Sequence, residues 1–464
     1  MTADTEVRLF AEDPVGFFGP SRWRMHTLAP DRLAALQLAA LRMRYAELRD
    51  RIPVLRTIAD EQRIGEIGTL DDAAPLLFPH TVYKSYPVSL LLDNRFDQLA
   101  TWLGRLTTVD LGGIDFSGCD SIDAWLDLLD ARTDLRPAHS SGTSGTMSFV
   151  PHTRQEYAAL YRTVRLDALP DGVSWREPMD VVWPGFRAGR GGIDRHAGAM
   201  AEQMAGTPDR FHALHPRSLS ADVMFLAGRL RAAAARGEVD RLEIPPALKA
   251  RRAEFEEAQR ATGAGMARFV EELADTLGGR RVASLGLWSV HHAMATAGLV
   301  RGIEAVFAPD SFVFSGGGAK GTALPADWAE PVGRFFGVHR LRLCYAMTEV
   351  MAVNLLCDAE RYHIEPWVIL YVLDPETGAP LPRDGVRTGR AAFLDLMADV
   401  HWGGFVSGDE VTVDWSACRC GRTTPGLSTA IGRFGGSGGD DKITCAATPE
   451  ALTEALDFLN GALA

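Results

Sequence analysis

HSSGTSGTMSFVP, from His139 to Pro151, is the stretch on which the reading of this chain turns. Hydroxyls and glycines crowd it: Ser140, Ser141, Gly142, Thr143, Ser144, Gly145 and Thr146. Glycine reaches positive φ and lets a backbone come close to a ligand. Successive amides in such a turn form an anion-binding nest, and the hydroxyls add donors. The combination suits a triphosphate. It is not a Walker A loop, which ends in Gly-Lys-Ser/Thr, because no lysine lies nearby. Taken alone, the same residues equally describe a flexible Ser/Gly turn.

The segments that follow separate the two readings. YAMTE spans Tyr345 to Glu349, SGDE spans Ser407 to Glu410, and Gly432-Arg433 is followed by Asp440-Asp441-Lys442. With the loop, and in this order, they resemble the core motifs of the adenylate-forming superfamily: acyl-CoA synthetases, luciferases and peptide-synthetase adenylation domains. Four weak motifs in the right order say more than any one of them. A closer branch is suggested by DDAAPLLFPHTVYKSYP (Asp71 to Pro87) and CRCGRTTP (Cys418 to Pro425). These resemble phenylacetate-CoA ligases and the acyl-protein synthetases of bacterial bioluminescence. The resemblance runs from about residue 30 to about residue 445, tight in the motifs and loose between them.

The resemblance implies a large layered α/β adenylate-forming core over residues 1–435, with parallel-rich sheets and a smaller β-rich portion. It implies ATP-dependent activation of a carboxylic acid, aryl or fatty acyl, to an acyl-adenylate. The loop from Ser140 to Thr146 would cradle the β- and γ-phosphates. Tyr345 would stack on adenine, and Asp409 would accept hydrogen bonds from the ribose hydroxyls. Thr348 would touch the α-phosphate, Glu349 would hold Mg²⁺ through a hard oxygen ligand, and Arg433 would reach the ribose or phosphates. Gly316, Gly317 and Gly318 would wall the nucleotide or acyl pocket, and Trp288, His291 and His292 the acyl pocket. Singly, each has an ordinary alternative: a core aromatic, a turn acid, a strand-to-helix turn, a satisfied core histidine. Two departures stand out. Ala346 replaces the usual glycine of its motif, and a glycine-rich insertion separates Arg433 from Asp440.

The superfamily normally continues past the Gly-Arg hinge into a mobile domain of about a hundred residues. Here 31 residues follow Arg433. The expectation is a short tail, 436–464, with one helix starting at Thr448-Pro449-Glu450 and an apolar face of Leu452, Leu456, Leu459 and Leu463. The mobile domain and its catalytic lysine would be absent. Lys442 is a candidate substitute or, alternatively, a solvated loop lysine. The acyl group would then pass to a partner such as a reductase, a carrier protein or another acceptor protein. Cys445 is a conceivable acceptor by analogy with the bioluminescence enzymes. An amide-forming ligase, or one using another small nitrogen nucleophile with the same adenylate chemistry, is the rival within the enzyme class. A catalytically inactive nucleotide-binding interaction protein is the rival outside it, and intact Thr348, Glu349 and Asp409 count against that one.

Composition bounds these readings. Hydrophobic residues make up 46% and charged residues 23%, as in an ordinary globular protein. A net charge of −12 argues against a nucleic-acid-binding face. Apolar runs are broken by Arg, Asp or Gly before they reach a membrane span, and the acidic start MTADTEVRLFAEDP has no apolar signal core. The sequence therefore reads as cytoplasmic. Disulfides are improbable there, which leaves metal binding or burial for six cysteines. Cys357-x5-His363 and Cys418-x-Cys420 make a closed set of three thiols and one imidazole, suited to structural Zn²⁺. Phenylacetate-CoA ligase-like proteins carry a similar pattern.

Periodicity gives the framework. Leu38, Leu41, Tyr45 and Leu48 recur at helical spacing, and Ser220 to Leu277 reads as helices split at Pro245-Pro246. Val282 to Ser289, Ser311 to Phe314 and Leu341 to Tyr345 read as short buried strands, with a helix over Trp328 to Phe336 between two of them. Alternation of this kind implies a mostly parallel sheet covered by helices. Val368 to Leu373 and Gly389 to Leu396 read as strands of the β-rich portion.

Overall fold

The computed structural model describes residues 2–140, 145–166, 178–242, 265–317 and 324–434, together with Ile244, Leu248, Lys249, Ala455 and Phe458. Among these the strands fall into three sheets.

The first sheet holds β4 (Asp180–Gly189), β5 (Phe211–Leu219), β6 (Val282–Leu287), β7 (Phe312–Gly316), β8 (Arg342–Met347) and β9 (Val350–Leu355), in the spatial order β5-β4-β6-β7-β8-β9. The first five are parallel and β9 runs antiparallel to β8. Parallel strands need covered faces. Helix Gly265–Leu277 covers part of one with Phe269, Val270, Leu273 and Leu277, as the four-residue spacing predicts. Helix Ala329–Phe336 adds Val332, Phe335 and Phe336 to the same cluster.

The sequence reading missed β4 and β5, for an identifiable reason. Pro184 and Pro216 sit inside them, and proline in a run argues against a strand. The fold tolerates both. β5 lies at the sheet edge, and the β4–β5 pairing shifts register between Trp183 and Phe186 and again between Phe186 and Ala188.

The second sheet is antiparallel along the path β10 (Arg361–His363), β14 (Gly426–Ser428), β13 (Gly404–Asp414), β12 (Val386–Asp395), β11 (Val368–Leu373). Two short strands add to β13: β1 (Phe78–Pro79) in parallel and β15 (Gly432–Arg433) antiparallel. All six residues of β11 are buried, hence its unbroken apolar sequence. The third sheet is the hairpin of β2 (Ala138–His139) and β3 (Phe149–Val150), which closes the Ser/Gly loop.

Helix Pro30–Leu48 forms where expected, with proline in its first turn. Its buried stripe uses Leu33, Leu36, Leu41, Tyr45 and Leu48, and Leu38 is only partly covered. Most of the expected tail helix and most of residues 245–264 lie outside the described residues, as does any boundary at 435.

Candidate functional site

In an open α/β sheet, ligands bind beyond the carboxyl ends of the strands, where the strand order reverses. Here the order reverses between β4 and β6. At the carboxyl edge lie residues 190–192 after β4, Trp288 after β6, Gly316 at the end of β7 with Gly317 after it, and Thr348-Glu349 between β8 and β9. The described base of the Ser/Gly loop meets this edge. His139 bridges to Gly191, and its amide donates to Arg190 O at 3.1 Å.

The loop is pinned at its base. Ser140 N donates to Ser148 O at 3.1 Å, and Ser148 N donates to Ser140 Oγ at 3.0 Å. Tyr86 donates to Met147 O at 2.8 Å. Gly145 sits at φ +87°, where a side chain would be strained. Ser141, Gly142, Thr143 and Ser144 lie outside the described residues.

Tyr345, Asp409 and Arg433 come together from two sheets. Tyr345 Oη donates to Asp409 Oδ2 at 2.7 Å, and Arg433 Nη1 donates to Asp409 Oδ1 at 3.0 Å. The β13–β15 pairing places Asp409 directly opposite Arg433. Both carboxylate oxygens of Asp409 thus already have partners. Burial, with Asp409 alongside, pushes the Tyr345 phenol well above its usual range. Glu349 shares this field: burial raises its carboxyl, Asp409 adds to the rise, and His152 and Arg433 pull it down.

Thr348 is gripped from two sides. A Cβ at Gly192 would overlap its Oγ1, so only glycine lets helix Gly192–Met200 start so close. Its carbonyl accepts from His152 Nε2 at 2.7 Å.

The remaining expected residues fall in several places. Gly316 lies opposite Cys344, where a Cβ would come 2.8 Å from Cys344 Sγ, and Gly317 is left-handed at φ +79°. Trp288 is half-buried, stacked on Trp328 with centroids 4.8 Å apart, and donates to Ser315 O. His292 is half-buried beside it. His291 is fully buried, and both ring nitrogens are engaged: Nε2 with Ser284 Oγ at 3.0 Å and Nδ1 with Ser315 Oγ at 3.1 Å. Burial drops its pKa to about 3. In this arrangement it ties β6 to β7 and offers no nitrogen to a ligand. Gly318, Lys442 and Cys445 lie outside the described residues.

Among the described residues, two groups of side chains converge tightly enough for a metal ion, with ligand atoms within 4.8 Å of one another. One is the Cys357, His363, Cys418 and Cys420 set. Cys357 Sγ and Cys418 Sγ are 3.9 Å apart, too far for a disulfide. Two sulfurs on one tetrahedral zinc would lie about 3.8 Å apart. His363 Nε2 is 3.3 Å from Cys420 Sγ, while its Nδ1 faces Thr424 O at 3.0 Å. A backbone carbonyl on the far nitrogen is what fixes a metal-binding histidine. Ala359 N and Arg422 Nη1 donate to Cys357 Sγ and Cys420 Sγ. Gly421, at φ +88°, lets the Cys418–Cys420 turn close. Burial pushes the Cys418 thiol up to about 11. For Cys420 burial acts the same way, but hydrogen bonds from Arg422 outweigh it and lower the thiol.

The other group, His152, Glu156 and His401, was not foreseen. His152 Nδ1 is 2.7 Å from Glu156 Oε2, and His401 Nδ1 is 3.5 Å from Glu156 Oε1. All three are at most 1% exposed. A weak signal existed: Thr153-x-x-Glu156 has capping-box spacing directly after the loop. The Gly189-Arg-Gly-Gly192 run was the corresponding signal for the close approach to Thr348.

With this geometry in view, the fold is similar to that of solved acyl-CoA ligases. Similar solved structures are 2-hydroxyisobutyryl-CoA ligase in an open conformation in complex with 2-HIB-AMP and CoA, at TM-score 0.51 and 15% identity over 88% of this chain and 72% of that one. The same ligase in its thioesterification state gives 0.52 and 16%, over 89% and 70%. At such identity the likeness concerns the fold. No protein-family model matches the chain, and no curated protein matches it.

Proposed function

We propose that this chain is an ATP-dependent, AMP-forming ligase that activates a small carboxylic acid, aryl or fatty acyl. A carboxylate oxygen attacks the α-phosphorus of ATP, the bond to the bridging oxygen breaks, and pyrophosphate leaves with its electrons. The convergence of Tyr345, Thr348, Glu349, Asp409 and Arg433 beside the loop closed by Ser140 and Ser148 carries this reading. Such chemistry needs positioning and charge stabilisation more than covalent participation.

Within it, the Ser140–Thr146 loop takes the β- and γ-phosphates. Thr348 lies by the α-phosphate, and Glu349 is the hard oxygen ligand for Mg²⁺. Asp409 turns from Tyr345 and Arg433 to the ribose hydroxyls. Arg433 is the more easily displaced partner, because two-thirds of its side chain is exposed. The half-buried Trp288, against Trp328, offers an apolar wall suited to an aromatic or aliphatic acid. Cys357, His363, Cys418 and Cys420 take one structural Zn²⁺, whose four protein ligands leave no open position for catalysis. The acyl acceptor is a partner such as a reductase or carrier protein.

The test is acid-dependent pyrophosphate release over a panel of aryl and fatty acids, with mass detection of the acyl-adenylate. Asp409→Ala should weaken ATP binding at least about tenfold, as expected for hydrogen bonds to a charged group. Unchanged ATP affinity in a folded Asp409→Ala protein would exclude this nucleotide site. Rapid CoA-dependent thioester formation by the chain alone would exclude the protein acceptor.

A further inference from the structure

We propose that His152 is a positioning residue that sets the Thr348-Glu349 turn, with Glu156 and His401 as its buried counterweight. The inference rests on the reading that Thr348 and Glu349 serve the ATP and Mg²⁺ site.

Thr348 and Glu349 are the two loop residues of a tight hairpin, since Met347 pairs directly with Val350. Two-residue hairpin loops are normally set by type I′ or II′ turns, which need positive φ and hence Gly, Asn or Asp. Neither Thr348 nor Glu349 has positive φ, and the pairing of β8 with β9 is irregular between Tyr345 and Met347. The turn therefore does not specify its own geometry, and something outside it must.

His152 supplies that constraint. The Thr348 carbonyl can only accept, so His152 Nε2 carries the proton of their 2.7 Å contact. The other nitrogen faces Glu156 at 2.7 Å. Glu156 is the third residue of the helix that begins after Thr153, whose Oγ1 caps the Glu156 amide at 3.2 Å. In a capping box that carboxylate would turn back to the cap amide. Here it turns to His152 and His401 and accepts from Asp399 N at 3.3 Å. The imidazole is thereby held at both ends by rigid elements, a helix start and a strand turn, with no solvent to compete. Gly192 closes the other side of Thr348.

A matched pair of variants tests this. In His152→Gln the amide nitrogen reaches the position of Nε2 and can still donate to Thr348. In His152→Asn it stops near Nδ1 and cannot. The Asn variant should lose roughly 100-fold in kcat for pyrophosphate release, the cost of an approximately 1 Å misplacement. Its KM for ATP should stay within a few-fold, its Mg²⁺ requirement should rise, and the Met347–Val350 amides should exchange faster with deuterium. The Gln variant should recover most of each. Equal behaviour of the two, or unchanged exchange at Met347–Val350 in the Asn variant, would overturn the proposal. So would a second bound metal, beyond that of the cysteine cluster, lost on His401→Ala. The exchange readout does not need activity. An inactive wild-type protein whose Asn variant still loosens the turn would refute the ligase reading and leave the tether standing.

Discussion

The two buried histidine clusters answer the same problem in opposite ways. Each brings ligand atoms within 4.8 Å of one another. In the cysteine cluster the near-neighbours are sulfurs at 3.9 Å, and His363 turns Nδ1 to a carbonyl, leaving Nε2 toward the thiols. Its polar capacity points inward, at a shared centre. In the Glu156 cluster the carboxylate sits between two imidazoles, and His152 spends its outer nitrogen on Thr348. Its capacity leads outward, to the turn bearing Glu349. Convergent donors alone do not define a metal centre; on the proposed readings, the direction of their remaining hydrogen bonds separates a centre from a tether.

The largest expected effect would break this contrast on the cysteine side. Purified protein should hold one zinc, and Cys418→Ser or a strong chelator should remove it. Structural zinc sites contribute on the order of 10 kcal/mol of apparent binding energy to folding, so the melting temperature should collapse. Elemental analysis with thermal denaturation decides it, and a metal-free chain of unchanged stability refutes the zinc assignment.

Next comes the turn that the other cluster holds. Glu349→Gln should lower Mg²⁺-dependent pyrophosphate release by about 100- to 1000-fold, the range for losing one key electrostatic contact. Its melting temperature should move little, the converse of the cysteine variant. A Glu349→Gln enzyme with normal turnover and normal Mg²⁺ requirement would remove Glu349 from the site.

The smallest effect is a pH slope. Burial raises the Asp399 carboxyl to about 8, with Glu156 adding to the rise. Between the ordinary value of 3.8 and about 8, the unfolded chain has released a proton that the folded chain keeps. Stability from this group therefore falls as pH rises through that window. Glu156 acts in the opposite sense. Burial alone would raise it, but His401 and His152 hold it well below 4.5, so its contribution is present above that value and lost in strong acid. Asp399→Asn should flatten the decline in melting temperature between about pH 5 and pH 8. An unchanged slope would remove Asp399 as its source.

The motifs and most of the frame could be read from residue order. The four-residue spacing of Phe269, Leu273 and Leu277 marked a covering helix. The unbroken Val368–Leu373 run marked a strand, and the turn residues of Ser140–Thr146 marked the loop. Such signals are local, because the period of a side-chain pattern is set by the backbone that carries it. What needed the tertiary structure was every pairing across distance. Proline hid β4 and β5, and only their place at an edge and at a register shift makes them strands. The partners of Asp409 come from Tyr345 and Arg433, 64 and 24 residues away. For His291 the sequence left a pocket residue and a satisfied core histidine both open, and Ser284 and Ser315 engage both its nitrogens. Glu156 read as nothing until His401, 245 positions later by the numbering, arrived beside it. A sequence fixes which groups are available. Burial and distance decide which of them meet, because a polar group removed from water must find its partner wherever the fold supplies one.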